Sequence, residues 1–169
     1  NEGMLRRMDE LYRTVKNNSI ALTAVPVEGL VEAAVERFHG KYPVQPVRLD
    51  VGTDRLVLAD LSHLSEAVCN LLDNAVKYTP SGAAVTVEVK NYELFSAIRV
   101  SDTGPGISEE EQAKIFGRFY RASGAWQAEG VGIGLYLTRQ IAEKQGGYVK
   151  VESIPGKGST FSLYIPRES

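Results

Sequence analysis

Glu66, Asn70 and Asn74 follow one another at intervals of four within Leu61–Lys77, a stretch whose apolar residues Leu64, Val68, Leu71, Leu72, Ala75 and Val76 recur at helical spacing. Four residues make about one helical turn, so the three polar side chains stack along one stripe. Asparagine is a poor residue for a helix interior because its amide competes for backbone hydrogen bonds, and two of them one turn apart ask for a reason. Oxygen ligands for a hard cation such as Mg²⁺, held chiefly through nucleotide phosphates and water, would be one. Lys77 and Tyr78, at the end of the same helix, would add a positive charge and a hydroxyl for phosphate. A helix whose polar face simply meets solvent gives the same pattern, and the motif alone does not choose between them.

Three further motifs follow. Asp102-Thr-Gly104-Pro-Gly106-Ile107 comes directly after an apolar stretch ending at Val100. A strand that delivers a carboxylate into a Gly-Pro-Gly turn fixes an acceptor beside backbone that a ligand can approach closely, and an adenine amino group would satisfy it. An aspartate capping a turn is the plainer explanation. Gly130-Val131-Gly132-Ile-Gly134-Leu135 opens a helix running to Gln145, so its backbone N–H groups and positive helix end are offered to phosphate. The preceding segment from Ala122 to Glu129 is polar loop sequence rather than a strand, which excludes a Rossmann dinucleotide motif. GxxxxGK[ST] is absent, which excludes a P-loop. Between the glycine motifs, Phe116-Gly-Arg118-Phe119-Tyr120-Arg121 suits a lid anchored by its aromatic side, with Arg118 and Arg121 able to reach a phosphate bidentately. An amphipathic helix running on from Ser108 is the competing description.

The elements that must position these groups are legible in outline. Met4 to Lys16 reads as an amphipathic helix, Ile20 to Val25 as a β-prone stretch, and Val27 to Phe38 as a helix started by Pro26. Gly40 to Pro46 breaks it. Val47 to Val51 and Arg55 to Leu58 are expected to form a short strand pair. After the Leu61–Lys77 helix and a turn at Thr79 to Gly82, Ala83 to Val89 and Phe95 to Val100 alternate apolar and polar residues as an antiparallel hairpin does. Val131 to Gln145 forms a helix ended by Gly146-Gly147, and Tyr148 to Ser153 with Thr160 to Ile165 forms a last hairpin. The expected fold is α+β, a two-layer α/β sandwich whose mixed, mostly antiparallel sheet carries its helices on one face.

A chain of 169 residues with 43% hydrophobic content supports one ordinary core and a short extra element. Its 19 basic and 21 acidic residues nearly cancel, which gives no nucleic-acid or anionic-membrane surface. Cys69 stands alone, so neither an internal disulfide nor a CxxC zinc cluster can form, and a reducing, cytoplasmic setting is expected. No apolar run reaches the roughly 20 residues a membrane helix needs, so any membrane anchor is expected outside this sequence.

Taken in order, the four motifs resemble the N-box, first glycine box, F-box and second glycine box of bacterial sensor histidine kinases, and Gly156-Lys157-Gly158-Ser159-Thr160-Phe161 resembles a further glycine turn of that family. The resemblance covers roughly Leu49 to Ile165. It implies a Bergerat-type sandwich with ATP between the N-box helix and a mobile lid. By motif, Asn74 would ligate Mg²⁺ with Asn70 assisting, and Lys77 and Tyr78 would face the phosphates. Asp102 would take the adenine amino group, with Gly104, Gly106, Ile107 and Thr160 around it. Arg121 would be the lid arginine, and Gly130, Val131, Gly132, Gly134 and Leu135 would wrap the phosphates. Asn70, Glu66 and Arg121 are the candidate catalytic residues, Glu66 through polarising the attacking group.

The family's phosphoacceptor histidine precedes an acidic residue on a helix, a setting that neither His39 nor His63 has. The resemblance therefore makes residues 1–18 the end of a dimerisation helix whose acceptor histidine lies upstream, and 19–169 the ATP-binding domain. It implies transfer of the γ-phosphate to that histidine, a response regulator as the next partner, and a homodimeric, membrane-anchored parent. The isolated chain would then bind nucleotide without autophosphorylating. An ATPase or serine kinase of the same superfamily, or a non-catalytic nucleotide sensor, are the alternatives.

Overall fold

A computed structural model describes residues 20–80, 82–116 and 131–168, with side chains from residue 134 onward in the last helix. The expected Met4–Lys16 helix and the lid residues 117–130, with Arg121 and Gly130, lie outside the described residues. Strand β1 (Thr23–Pro26) leads into helix α1 (Val27–Lys41), then come β2 (Val47–Asp50), β3 (Leu56–Ala59), α2 (Leu61–Tyr78), β4 (Val85–Asn91) and β5 (Phe95–Ser101). A short α3 (Glu109–Gln112), α4 (Val131–Lys144), β6 (Tyr148–Ile154) and β7 (Gly158–Pro166) complete the order.

Five strands form the main sheet in the order β2-β4-β5-β7-β6, in which β2 and β4 are parallel and the other neighbours antiparallel. Alternation along the strands sends Val85, Val87, Ile98, Val100, Phe161 and Leu163 to one face, where they are buried. The helices cover that face. Leu30, Val31, Ala34 and Phe38 of α1, Leu64, Val68, Leu71 and Leu72 of α2, and Ile141 and Ala142 of α4 share the core with them. Each fully buried side chain of this size contributes about 1.5–3 kcal/mol, which is why three amphipathic helices and one sheet face suffice. The other face is amphipathic: the rings of Tyr148 and Tyr164 stack at 4.5 Å, and Arg99 bridges Glu88 at 3.2 Å and Glu152 at 3.8 Å. The two-layer sandwich expected from the sequence is the observed fold.

One pairing differs from expectation. The segments at 47–51 and 55–58 do not pair with each other: β2 lies parallel to β4, in register Val47↔Val85, while β3 joins β1 in a separate two-stranded antiparallel sheet, Thr23↔Ala59. Gly52, at φ +65, turns the chain away between them. A parallel pair needs a crossover, and α2 supplies it between β2 and β4. The β3 Val57 and Ala59 side chains are buried in the core, and β3 launches α2 directly.

The helix ends show how α1 and α2 are fixed. Pro26 caps α1 without a side-chain hydrogen bond, and the exposed N–H groups are met from the β2–β3 loop: Val27 donates to the Arg55 carbonyl at 2.8 Å and Glu28 to Asp54 Oδ1 at 3.0 Å. The helix runs three residues past the expected Phe38, and Tyr42 closes it by donating to the Phe38 carbonyl. At α2 the cap is Asp60, whose Oδ1 accepts from the His63 N–H at 3.2 Å and whose Oδ2 accepts from Ala21 N at 3.1 Å. No helix among the described residues is long and apolar enough to cross a membrane.

Candidate functional site

The polar stripe expected on α2 exists, but it is not a solvated face. Asn74 is 6% exposed, and neither its Oδ1 nor its Nδ2 has a hydrogen-bond partner among the described residues. Asn70 Nδ2, one turn earlier, is likewise buried without a partner. An unsatisfied buried amide costs about 1–3 kcal/mol, so two on one stripe argue for a group that they are built to meet. Lys77 continues the stripe, with Nζ 3.5 Å from Asp73 Oδ2. Tyr78 is half-buried at the helix end.

Glu66 begins the same stripe and forms an ion pair with Arg37 of α1. That pairing, absent from the sequence reading, turns its carboxylate toward the α1–α2 seam. Asp73 is engaged there too: the Tyr42 hydroxyl donates to its Oδ1 at 2.6 Å, and Lys41 Nζ lies 3.4 Å from the same oxygen. Burial, reinforced by the hydrogen bond to Asp73, pushes the Tyr42 phenol far above its ordinary range. Burial likewise pushes the Cys69 thiol, on the same seam, up to about 11, which keeps it protonated and unreactive at neutral pH.

The Asp102 turn is docked onto the end of this helix. Asp102 is 6% exposed; its Oδ1 accepts from Gly104 N at 3.0 Å and from Ser159 N at 3.3 Å, and its own N–H donates to the Ser159 carbonyl at 2.9 Å. Burial raises its carboxyl above the usual range, against the opposing pull of those two backbone N–H groups. A Cβ at Gly104 would lie 2.4 Å from the Tyr78 carbonyl oxygen, and one at Gly106 would lie 2.4 Å from the Ile154 carbonyl oxygen. These glycines were expected to leave room for a ligand. Instead the room is filled by protein backbone, and glycine is required so that the turn can seat against α2 and the β6–β7 turn.

Ile107 is buried in the core and donates its N–H to Ser153 Oγ at 2.7 Å, so it is an anchor of the turn. Thr160 Oγ1 and Ser101 Oγ are 2.8 Å apart, next to the Asp102 turn. A cavity of about 570 Å³ is lined by Asp102, Gln112, Lys157, Ser159 and Thr160 among others. Ser159 was overlooked as a residue in its own right. Its motif was visible, but its task of holding the Asp102 carboxylate joins positions 57 residues apart.

Of the second glycine box, Val131, Gly132 and Gly134 belong to the first turn of α4, the helix expected from Val131. Space beside Gly134 is open, and Thr138 Oγ1 donates to its carbonyl at 2.9 Å. Leu135 is 5% exposed and belongs to the core. Phe116 packs edge-on against Phe161, with ring centroids 6.3 Å apart, while the rest of the expected lid lies outside the described residues. The site thus joins the Asn74 amide and the Asn70 Nδ2, unpartnered among the described residues, and a lysine on α2 with a buried aspartate 24 positions past Tyr78, the turn of one seated on the end of the other.

Residues 59–169 match the family described as histidine kinase-, DNA gyrase B- and HSP90-like ATPase. Over 158 residues, 91% of this chain, the sequence is 37% identical to the adaptive-response sensory kinase SasA of Synechococcus sp. (strain JA-3-3Ab), of which it covers 40%. It is 34% identical over 149 residues to the sensor-like histidine kinase SenX3 of Mycolicibacterium smegmatis, covering 39% of that protein. Among solved structures, the mycobacterial sensor histidine kinase MprB superposes with a TM-score of 0.78 at 28% identity, over 86% of this chain and 99% of that one. The chain therefore spans about 40% of the length of each of these two curated relatives.

Proposed function

Because this chain belongs to the histidine kinase-, DNA gyrase B- and HSP90-like ATPase family, as a sensor histidine kinase catalytic and ATP-binding domain, we propose that it binds Mg·ATP at the α2–Asp102 site and passes the γ-phosphate to a histidine on an upstream dimerisation domain. The carrying observation is the buried, unpartnered Asn74 amide on the stripe that Asn70 and Lys77 share. On this reading Asn74, with Asn70, supplies amide oxygens to Mg²⁺, and Lys77 and Tyr78 meet phosphate oxygens. The bound cation neutralises charge on the phosphates during transfer. Asp102, held by the N–H groups of Gly104 and Ser159, keeps one carboxylate edge for the adenine amino group.

Positioning and charge stabilisation carry phosphoryl transfer, so the chain's task is to present the nucleotide in line. Arg121, Gly130, Val131, Gly132 and Gly134 are assigned to the phosphates on their motifs. Glu66, paired with Arg37, retains a proposed catalytic part only if that pair opens when the acceptor domain docks. The acceptor then passes its phosphoryl group to a response regulator, and the parent acts as a homodimer.

Calorimetric titration of the chain with ATP and Mg²⁺ is the test. Saturable binding that weakens when Mg²⁺ is removed is expected; no binding by folded protein overturns the proposal.

A further inference from the structure

Asp73 stands one residue before Asn74, and its two carboxylate oxygens face different elements. Oδ1 accepts from the Tyr42 hydroxyl at 2.6 Å and lies 3.4 Å from Lys41 Nζ, both at the C-terminal end of α1. Oδ2 lies 3.5 Å from Lys77 Nζ, one turn further along α2. We infer that Asp73, anchored by Tyr42, is a positioning residue that holds the Lys77 ammonium in place for nucleotide phosphate. The inference rests on the Mg·ATP reading above and adds to it a residue that touches no ligand.

A lone i,i+4 pair on an exposed helix holds its partners weakly. This one differs in two respects. The side chains of Asp73 and Lys77 are only 23% and 18% exposed, so water screens the pair less. A phenol from a separate element also fixes the carboxylate, so the long lysine side chain has a stationary partner. A lysine already ordered loses less freedom when phosphate arrives. The opposing effect is repulsion between the Asp73 charge and the phosphates. Lys41 offsets it: two ammonium groups surround one carboxylate, and the cluster stays cationic. Ordering therefore outweighs repulsion, and losing the carboxylate weakens phosphate binding.

The test uses the whole chain, with Mg·ATP binding read by calorimetry and adenosine binding by NMR chemical-shift titration. Asp73→Asn is expected to weaken Mg·ATP roughly three- to tenfold, the cost of immobilising one long side chain. Adenosine, which has no phosphate, is expected to bind it as it binds the wild type. Tyr42→Phe, which leaves both charges in place, gives a smaller loss of the same sign and keeps the test available if Asp73→Asn fails to fold. In a Lys77→Met background, Asp73→Asn gives no further loss. Tighter Mg·ATP binding by Asp73→Asn, an unchanged Tyr42→Phe, an equal loss for adenosine, or an equal loss in the Lys77→Met background each overturns the inference and leaves the nucleotide site standing. A wild-type chain that binds neither compound overturns both.

Discussion

Asp102 and Asn74 both carry a cost in the fold, and that cost has a measurable sign. Burial raises the Asp102 carboxyl, so the folded state favours its protonated form. Its contribution to stability is therefore fully present below the ordinary carboxylate range and is lost as pH rises through the raised value. At neutral pH the ionised group is a burden on the fold, which the proposed contact with adenine would account for. Asp102→Asn keeps an oxygen for the Gly104 and Ser159 N–H groups and removes the charge. Thermal melts at pH 7 should find it at least as stable as the wild type, with any advantage shrinking as the pH is lowered. Its amide nitrogen would face the adenine amino group, donor against donor, and ATP affinity should fall about ten- to hundredfold, the equivalent of one hydrogen bond to a charged group. In the wild type, affinity should decline on acidification from a higher pH than an ordinary aspartate would give. Asn74→Ala follows similar logic. Deleting an unsatisfied buried amide should leave the melting temperature unchanged or raised, while Mg²⁺-dependent ATP binding is lost. His63→Ala, on the same helix, should leave that binding intact, and equal losses would remove Asn74 from the metal site.

Among the elements, the contact between the Asp102 turn and α2 decides whether the two halves of the site meet. Gly104→Ala drives a methyl group to 2.4 Å from the Tyr78 carbonyl oxygen, so either the turn or the helix end must move. Overpacking of this kind costs about 1–3 kcal/mol. A lower melting temperature together with weaker ATP binding is expected, whereas Gly82→Ala, with open space around a φ of +86, should cost stability alone. Which of these features the sequence disclosed follows from how local they are. The α2 stripe was legible because its period is written within one segment, and the β4–β5 and β6–β7 hairpins because their strands are neighbours in the chain. The β2 pairing was not: a four-residue strand carries no mark of whether its partner is the next strand or one beyond a crossover helix. The glycines of the Asp102 turn were visible as glycines, but what fills the space beside them comes from α2 and the β6–β7 turn. The Tyr42–Asp73 contact spans 31 positions and has no motif at all.

For the whole chain, the central question is whether ATP alone can lead to a phosphorylated histidine. Two histidines are present, and neither is followed by an acidic residue as the family's phosphoacceptor is. His39 Nε2 is 3.1 Å from the Gln45 carbonyl oxygen near the end of α1. His63 sits in the first turn of α2 with Nδ1 3.1 Å from Asp60 Oδ2. It precedes Asn70 by seven residues, about 10 Å along the helix axis, where phosphoryl transfer needs reacting atoms roughly 3–3.5 Å apart. Radiolabelled ATP added to the chain alone should therefore leave no acid-labile phosphate on it, even where calorimetry shows the site filled. Nucleotide at a hundred times its dissociation constant should meanwhile stabilise the fold by about 2.7 kcal/mol, a rise in melting temperature that reports binding without transfer. Adding the dimerisation domain of the parent should move label onto that domain, and Asn74→Ala should prevent it. Label appearing on His39 or His63 would mean that the chain presents its phosphate to itself, and the division between an ATP-holding domain and a separate acceptor would have to be abandoned.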